Sequence, residues 1–428
     1  MADSNNKINF CTSSPGKIIL FGEHSVVYGK LAVAASISNR TTATFKEVEG
    51  DVFTLSLPKL GYCETFELAN LQSKLDENIP LKKKISKQQT DLGTVGLVDI
   101  DALLELSGKD VNFNASVEQS DAIRKALHAF FFLFRGILGT TLVNVPPSTL
   151  EIDSELELGA GTGSSASFCV TLAAAFIQLL KQRTPPGYRV SKHEYRNFTF
   201  DGSLESFSEK EKIIISCWAL HGEKINHGKP SGLDNSVCTH GAILQMNVRG
   251  FLKHEGGFQC MDLNIKLSVL LINSGVSRDT KSLVSKVRSL KARHEGVINL
   301  ILNSMEGIAE KGVLTLQKLS DLEKAKASDK DIRSLYTVLE ELFDLNHGLL
   351  STLQVSHEKL EHIRAITAGF GLHTKLTGAG GGGYAIALIP PDYPVNVLPE
   401  CINQLEANNY QTRQIYLGGE GVNVKQLS

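Results

Sequence analysis

Cysteine is scarce in this sequence of 428 residues, which has seven cysteines and no C-x-x-C pair. Their number is odd, and they lie tens of residues apart. Structural zinc sites need closely spaced ligands and disulfide frameworks need paired cysteines, so the pattern argues against both. The motifs G-x-S-x-G and H-E-x-x-H are also missing, which leaves serine hydrolysis and zinc-dependent hydrolysis poorly supported.

The sequence has no excess of charge of one sign, because 44 basic and 46 acidic residues leave a net charge of −2. A protein that mainly holds nucleic acid is usually far more basic, so we expect no nucleic-acid partner. The longest apolar run, residues 129–145, is interrupted by Arg135 and is too short to span a bilayer. The first residues do not resemble a signal peptide. We therefore expect a soluble, cytoplasmic protein without a membrane partner.

No repeat of about 20 to 50 residues is visible, which excludes solenoids and propellers. Strand and helix patterns alternate in the first half, and helices dominate from about residue 280 to 370. This order predicts an α+β fold of two domains, a first domain of mixed strands and helices (1–264) and a helix-rich C-terminal domain (265–428). The polar segment 72–110 is predicted to be a loop or an insertion.

Individual elements follow from the periodicity and the stop signals. Strands are predicted at 17–21, 31–38, 40–48, 149–158 and 384–389, and helices at 119–137, 164–182, 209–226 and 395–407.

Glycine is the residue type in excess, with 37 glycines against 12 prolines, and it is concentrated in two runs. The first run, residues 159–163, joins a predicted strand to a strong predicted helix. Backbone N–H groups and the positive end of the helix dipole meet there, which favours a phosphate. Ser164 and Ser165 can cap the helix, and a hydroxyl there can ligate a magnesium ion. The alternative is a glycine-rich turn without a ligand.

Neither common nucleotide loop fits the first run. It lacks the G-K-[ST] ending of a Walker A loop, and no strand with a ribose-binding acid follows it. The second run, residues 378–383, contains G-x-G-x-x-G but is followed by a strand, so the dinucleotide interpretation fails there too. Such a glycine-rich segment is costly in backbone entropy. We expect it to line the active site, with a purely structural loop as the alternative.

Two further polar clusters could supply chemistry, Pro15-Gly16-Lys17 with Glu23-His24 and the segment from His221 to Asn235. Phosphoryl transfer to a hydroxyl needs a carboxylate at the nucleophile, a cation on the transferring group, and a carboxylate with a hydroxyl on magnesium. Four residues of the chain can meet these needs: Asp234, Lys17, Glu223 and Ser165.

In their order along the chain these motifs resemble the GHMP family of small-molecule kinases. The resemblance rests on three blocks, 15–24, 159–167 and 375–383, and a fourth block, 222–235, indicates one branch of the family. It implies a two-domain α+β fold with the active site in the cleft, in which the N-terminal domain (1–264) binds ATP and is catalytic and the C-terminal domain (265–428) carries the second glycine run. It also implies ATP and Mg²⁺ as cofactors, and usually a homodimer. It also implies that a small substrate with a primary hydroxyl receives the phosphoryl group. A sibling kinase for another small molecule and a catalytically silent ligand-binding member remain the alternatives.

The resemblance also implies a role for each matching residue. Lys17 would lie near the transferring phosphoryl group, Asp234 would be the catalytic base, and Ser165 and Glu223 would hold magnesium. The implied ATP contacts are Lys17, Ser154, Gly159, Ala160, Gly161, Thr162, Gly163, Ser164 and Ser165. The implied substrate contacts are His24, Glu23, Arg278, Thr280, Gly378, Ala379 and Gly380. The sequence departs from the family at Glu157 and Thr162, and an acid beside the ATP loop can weaken nucleotide affinity by like-charge repulsion.

Overall fold

The computed structural model describes residues 7–71, 117–138, 145–157, 159, 161–184, 200, 202–227, 232–246, 258–261, 263, 265–277 and 279–427. The predicted loop at 72–110 lies outside these residues. The strands are β1 (Asn9–Phe21), β2 (Ala32–Glu47), β3 (Val52–Leu57), β4 (Tyr62–Glu67), β5 (Ser148–Ser154), β6 (Ile243–Met246), β7 (Phe258–Met261), β8 (Leu267–Asn273), β9 (Thr374–Leu376), β10 (Tyr384–Ile389), β11 (Gln411–Leu417) and β12 (Asn423–Gln426).

The α-helices of the described residues are α1 (Val117–Leu133), α2 (Ser164–Arg183), α3 (Glu209–His227), α4 (Leu233–His240), α5 (Thr280–Arg293), α6 (Glu295–Lys324), α7 (Asp329–Thr352), α8 (Glu358–Gly369) and α9 (Val397–Ala407). Two short 3₁₀ helices cover Ser25–Tyr28 and Pro58–Leu60, and a π-helical turn, Phe134–Leu138, extends α1.

The twelve strands of the described residues belong to one mixed sheet, in which the order along the main path is β4-β3-β5-β2-β11-β8-β10-β9. Strand β2 has four neighbours in this sheet, because it pairs with β1 and β6 in addition to β5 and β11. The sequence predicts two strands at 31–38 and 40–48, but the structure has one strand of 16 residues. The segment contains neither proline nor glycine, so nothing in its backbone interrupts the pairing.

Strand β1 begins at Asn9, eight residues before the predicted start at Lys17. The prediction was wrong because Pro15-Gly16 reads as a turn, whereas the structure accommodates both at a register shift between Pro15 and Lys17. Proline is tolerated at such bulges because the ladder is already interrupted there. The shift lies immediately before Lys17.

Helix α2 is packed against β1 and β2 at the centre of the N-terminal core. By length and composition it is the one helix of the described chain that could cross a membrane, but 83% of its apolar stretch is buried inside the protein. Aromatic rings of α1 and Phe176 of α2 fill the same core. Burial therefore explains the apolar composition of α2, whose N-terminus receives the first glycine run.

The sheet and a hydrophobic cluster continue from the N-terminal part into the C-terminal part. Strand β11 pairs with both β8 and β2, and the last strand, β12, pairs with β1. The Phe21 ring at the end of β1 meets Phe343 of α7, with ring centroids 5.9 Å apart. The fold is α+β as predicted. The division into 1–264 and 265–428 stays a prediction, and β12 returns across it to the N-terminal part.

Candidate active site

The first glycine run wraps around Lys17. The Lys17 backbone N–H donates to the Thr162 carbonyl at 2.8 Å. Gly163 has a φ of 77°, and a Cβ at that position would lie 2.9 Å from Cγ of Lys17. Glycine is required there both by the left-handed backbone and by the close lysine. The loop thereby brings the N-terminus of α2 beside the Lys17 side chain, which is only 6% exposed.

Lys17 forms an ion pair with Asp234, with 3.0 Å between Nζ and Oδ2. Asp234 is in the first turn of α4, which begins after Gly232 in a left-handed conformation. Buried Leu233 and Val237 anchor this helix in a small apolar cluster. The Asp234 side chain keeps 36% exposure, so a small molecule can reach it.

Glu223 on α3 is a second carboxyl at this place, and its side chain is buried. Burial, and after it the neighbouring Asp234 carboxylate, raise the pKa of Glu223 to about 8 against the opposing effects of Lys17 and the Ser165 hydroxyl. The four residues that the sequence selected for phosphoryl transfer are therefore close enough to interact. Two carboxyls here share one neighbouring lysine.

These donors fit a magnesium ion. Magnesium is usually held by one or two carboxylates together with substrate phosphates, and it supplies positive charge that a buried carboxyl pair needs. The buried Asn235 amide, also beside Glu223, has no hydrogen-bond partner of normal geometry in the described chain. No group of three or more His, Cys, Asp or Glu residues forms a metal cluster within the described ranges. This donor set suits a metal that is bound jointly with phosphate.

The predicted helix cap is wrong in detail. Gly163 is the N-cap of α2, and Ser164 and Ser165 are the first residues of the helix, without a side-chain cap. The residue at the cap must adopt positive φ, which glycine tolerates and serine does not. The Ser165 hydroxyl instead forms a hydrogen bond with Glu223. Ala160 lies outside the described residues.

A cavity of about 260 Å³ opens beside the glycine loop. Its polar wall includes Lys59, Ser154 and Ser165, and its apolar wall includes Ile152 and Phe168. The Ser154 hydroxyl is hydrogen-bonded to Thr41 at 2.9 Å. A mostly apolar cavity with few polar groups, next to a phosphate-type loop, suits the base and sugar of a nucleotide.

Lys59 is a site residue that the sequence analysis missed. Its Nζ donates to the carbonyls of Leu156 (2.8 Å) and Ser154 (3.1 Å), and it contacts Glu157 at 3.3 Å. The lysine therefore compensates locally for the acid that the sequence places beside the loop. Nothing local in the sequence indicates this contact, because Lys59 and Glu157 are 98 positions apart.

His24 and Glu23 follow the end of β1 in a tight turn. His24 has a φ of 58°, unusual for a side chain with a Cβ, and its Nε2 donates to the Ala379 carbonyl at 2.8 Å. The Glu23 carboxylate faces inward, toward Lys375 and Asn346. The turn is thus connected to the second glycine run.

Glycines of the second run lie very close to the backbone of other segments. A Cβ on Gly380 would lie 2.0 Å from the Val355 carbonyl oxygen, and one on Gly382 would lie 2.7 Å from that of Val276. Gly378 and Gly380 both have positive φ. These close approaches account for the glycines structurally, and the contact of Ala379 with His24 places the run beside the turn after β1.

Of the remaining predicted substrate residues, the structure describes Thr280, which lies on α5. Thr280 is the first residue of this helix and is exposed, and Asp279 caps the helix by accepting from Lys281 N at 2.9 Å. Arg278 lies outside the described residues. The segment before the helix reaches the glycine run, since Gly383 N donates to the Val276 carbonyl at 2.9 Å.

The fold and the paired lysine and carboxyls beneath a phosphate-type loop define a class, the small-molecule kinases. The family model described as "GHMP kinases N terminal domain" matches residues 123–197. The chain is 31% identical to mevalonate kinase of Dictyostelium discoideum over 97% of its own length and 96% of the relative. It is 32% identical to mevalonate kinase of Homo sapiens, over 96% of the chain and 94% of the relative.

A crystal structure of L. major mevalonate kinase in complex with R-mevalonate has a similar fold, with a TM-score of 0.60 and 20% identity over 98% of this chain and 97% of that one. The chain belongs to the GHMP kinase family, within its mevalonate kinase branch.

Proposed function

We propose that this protein transfers the γ-phosphoryl group of ATP to the 5-hydroxyl of (R)-mevalonate, giving 5-phosphomevalonate and ADP for isoprenoid and sterol synthesis. The substrate is suggested by the full-length similarity to mevalonate kinases, and the chemistry rests on one observation, the Lys17–Asp234 pair at 3.0 Å beside the N-terminus of α2. An anion-binding loop, a cation and an accessible carboxylate are then adjacent.

Asp234 acts as the general base in this proposal. Its partly exposed carboxylate accepts the proton of the substrate hydroxyl while that oxygen attacks the γ-phosphorus in line. Lys17 holds Asp234 on one side and stabilises the negative charge on the transferring group. Transfer is direct, without a phosphorylated enzyme.

The nucleotide occupies the glycine run and the adjoining cavity. N–H groups at the start of α2 meet the phosphates, and the cavity lined by Ser154 and Phe168 receives the nucleoside. Ser165 and Glu223 would hold Mg²⁺, which would neutralise phosphate charge. Glu223 must lose its proton to serve as a ligand, and the nearby positive charge of Lys17 favours that loss.

A coupled assay of ADP release tests the substrate. The panel is mevalonate, phosphomevalonate, galactose and homoserine, each with MgATP. We expect ADP release that depends on mevalonate, at a kcat/KM at least ~100-fold above that with the others, because each missing or misplaced polar contact costs one or more factors of ten. Preference for phosphomevalonate would instead identify a sibling kinase. ATP binding without substrate-dependent ADP release would identify a silent member.

We also propose a cytoplasmic homodimer, which rests on the family resemblance. Helix α6 carries two exposed apolar residues on one face, Val297 (61%) and Leu300 (68%), which would suit a protein interface. Sedimentation of the purified chain at micromolar concentration measures the mass, and a monomer across that range would refute the dimer.

A further inference from the structure

Glu23 and Lys375 form a fully buried ion pair, in which both side chains are 0% exposed. Lys375 Nζ contacts Oε1 of Glu23, and Asn346 Nδ2 donates to Oε2 at 2.9 Å. Lys375 also donates to the Leu376 carbonyl at 2.7 Å. Both carboxylate oxygens are engaged and have no exposed surface, so Glu23 cannot reach a solute without breaking these bonds.

The ion pair connects the turn after β1 with the second glycine run. On one side, Glu23 is followed by His24, whose Nε2 donates to the Ala379 carbonyl at 2.8 Å. On the other, Thr377 exchanges hydrogen bonds with Ile19 of β1, accepting from its N–H at 3.0 Å and donating to its carbonyl at 2.9 Å. The two segments are therefore joined by the ion pair, by the contact of His24 with Ala379 and by that of Thr377 with Ile19. Of these, the ion pair is the contact between two charged groups, and it is fully buried.

The segment that follows this turn packs against the apolar cluster that anchors the helix of the candidate base. Val26 packs against the apolar cluster that includes Leu233, the residue before Asp234. His24 needs an external constraint, because a left-handed φ of 58° costs free energy for a residue with a Cβ. The carboxylate of Glu23, held by Lys375 and Asn346, fixes the position of this turn.

We propose that the Glu23–Lys375 pair, completed by Asn346, is a positioning device that holds His24 and the second glycine run toward the phosphoryl-transfer centre. Glu23 then acts through its neighbours and does not contact the substrate. The substrate named in the test rests on the proposed function, but the ion pair itself does not.

The energetics of buried ion pairs allow positioning to be separated from stability. Removing one partner leaves an uncompensated buried charge and is strongly destabilising, whereas replacing both by neutral groups of similar volume is often tolerated. The variant Glu23→Gln/Lys375→Met should therefore fold even if a single variant does not. It lacks the charged connection and the hydrogen bond from Lys375 to the Leu376 carbonyl.

The test compares four variants: Glu23→Gln, Lys375→Met, the double variant and Lys375→Arg. We expect the first three to raise KM for mevalonate and lower kcat by roughly tenfold or more, because small misplacements at a reacting centre are that costly. The double variant should be no worse than the poorer single one, since both remove the same contact. Lys375→Arg keeps the positive charge and should therefore retain most of the wild-type activity. In all four variants the Kd for a fluorescent ATP analogue should change less than about twofold.

A matched control is available in the N-terminal core. Lys181 and Glu211 form a pair that is equally buried (1% and 0% exposed) at 3.0 Å. Lys181 is sixteen residues beyond Ser165 on α2, about 24 Å along the helix. The variant Lys181→Met/Glu211→Gln should keep wild-type KM and kcat, whatever it does to stability.

Three results would overturn the proposal. A folded double variant with wild-type kinetics would make the pair merely structural. Loss of activity in Glu23→Gln but not in folded Lys375→Met would mean that Glu23 meets the substrate. Unchanged amide hydrogen exchange at 22–28 and 377–383 in the double variant would refute the connection. Amide hydrogen exchange needs no substrate, so it tests the role of the ion pair even if the wild-type protein does not phosphorylate mevalonate. That failure would count against the proposed function alone.

Discussion

Asp234 is the residue on which the proposed chemistry depends most, since its carboxylate pairs with Lys17 and is still accessible to a substrate hydroxyl. We expect Asp234→Asn to lower kcat by roughly 10²–10⁴-fold, the usual contribution of a general base. ATP-analogue affinity should stay within a few-fold of wild type. Rapid-quench assays with a fluorescence titration measure both quantities, and near-normal turnover would eliminate Asp234 as the base.

Glu223 is predicted to act on the metal and not on the proton of the substrate. Glu223→Gln keeps the shape of the side chain but removes a ligand charge, so more Mg²⁺ should be needed for half-maximal activity, roughly tenfold or more. The measurement is a Mg²⁺ titration of activity at fixed ATP. Glu211→Gln, on the same helix but paired with Lys181, is the control. An unchanged titration curve would remove Glu223 from the metal site.

His347 gives a pH prediction that is independent of activity. Its Nδ1 accepts from Leu376 N at 3.1 Å and its Nε2 donates to Glu361 at 2.9 Å, so the buried ring must be neutral. Burial lowers the pKa of His347 to about 4, below its usual 6.5. Between these values the unfolded chain binds the proton and the native protein does not, so stability should fall as pH drops from 6.5 toward 4, by roughly 2–3 kcal/mol in total.

Urea unfolding at pH 7 and pH 5 tests the His347 prediction. The variant His347→Gln can still accept a hydrogen bond from Leu376 N. In this variant, the part of the fall in unfolding free energy between pH 7 and pH 5 that is due to protonation of His347 should disappear. An equal fall in stability for both proteins would show that other groups are responsible.

At the scale of single elements, the sequence predicts those with strong periodicity and clear stop signals. Helix α2 and strand β10 have predicted bounds within one residue of the observed ones, because a glycine loop precedes each and apolar residues fill each. The start of β1 could not be predicted, since Pro15-Gly16 is normally a turn. Its use as a bulge depends on the Thr162 carbonyl, which lies far away in sequence.

The first glycine run, which we propose binds the nucleotide, is an element whose shape we expect to depend on Lys59. Lys59→Met removes two hydrogen bonds, to the carbonyls of Ser154 and Leu156 just before the run, and leaves Glu157 without its partner. Since the pair itself is partly exposed and weak, the Kd for ATP should rise only about three- to tenfold. Lys59→Met/Glu157→Gln should recover the part that is due to charge repulsion. Lys7→Met, in the exposed pair with Glu49, is the control.

Fluorescence titration with an ATP analogue measures the effect of Lys59. Equal loss of affinity in Lys59→Met and in the double variant would assign the whole effect to the carbonyl contacts. Wild-type affinity in both would remove Lys59 from the nucleotide site.

At the scale of the whole molecule, the motifs identified the chemical groups but not their connections. Lys17, Ser165, Glu223 and Asp234 could be selected because phosphoryl transfer needs those groups. Lys59 and Asn346 could not, since their roles follow from contacts between distant segments. The return of β12 to β1 is of the same kind, because its four residues carry no sign of their partner.

The continuous sheet leads to a prediction about cooperativity. Strands of both parts share the sheet, and α6 lies so close to Phe21 that a Cβ on Gly312 would be 2.6 Å from its ring. Two independent domains would unfold in separate steps, whereas a shared core and sheet favour one transition. We therefore expect coincident unfolding curves from the fluorescence of Trp218, the single tryptophan, which lies in the N-terminal core, and from the helical signal, to which the long C-terminal helices α6 and α7 contribute.

Gly312→Val sharpens this test, because the added side chain forces α6 away from Phe21 and should cost about 1–3 kcal/mol. If the parts are coupled, the Trp218 transition shifts to lower denaturant together with the helical one, although the substitution lies in the C-terminal part. Gly307→Val, on the same helix where a Cβ would meet open space, controls for helix propensity. A shift of the helical signal alone would mean that the two parts unfold independently despite their common sheet.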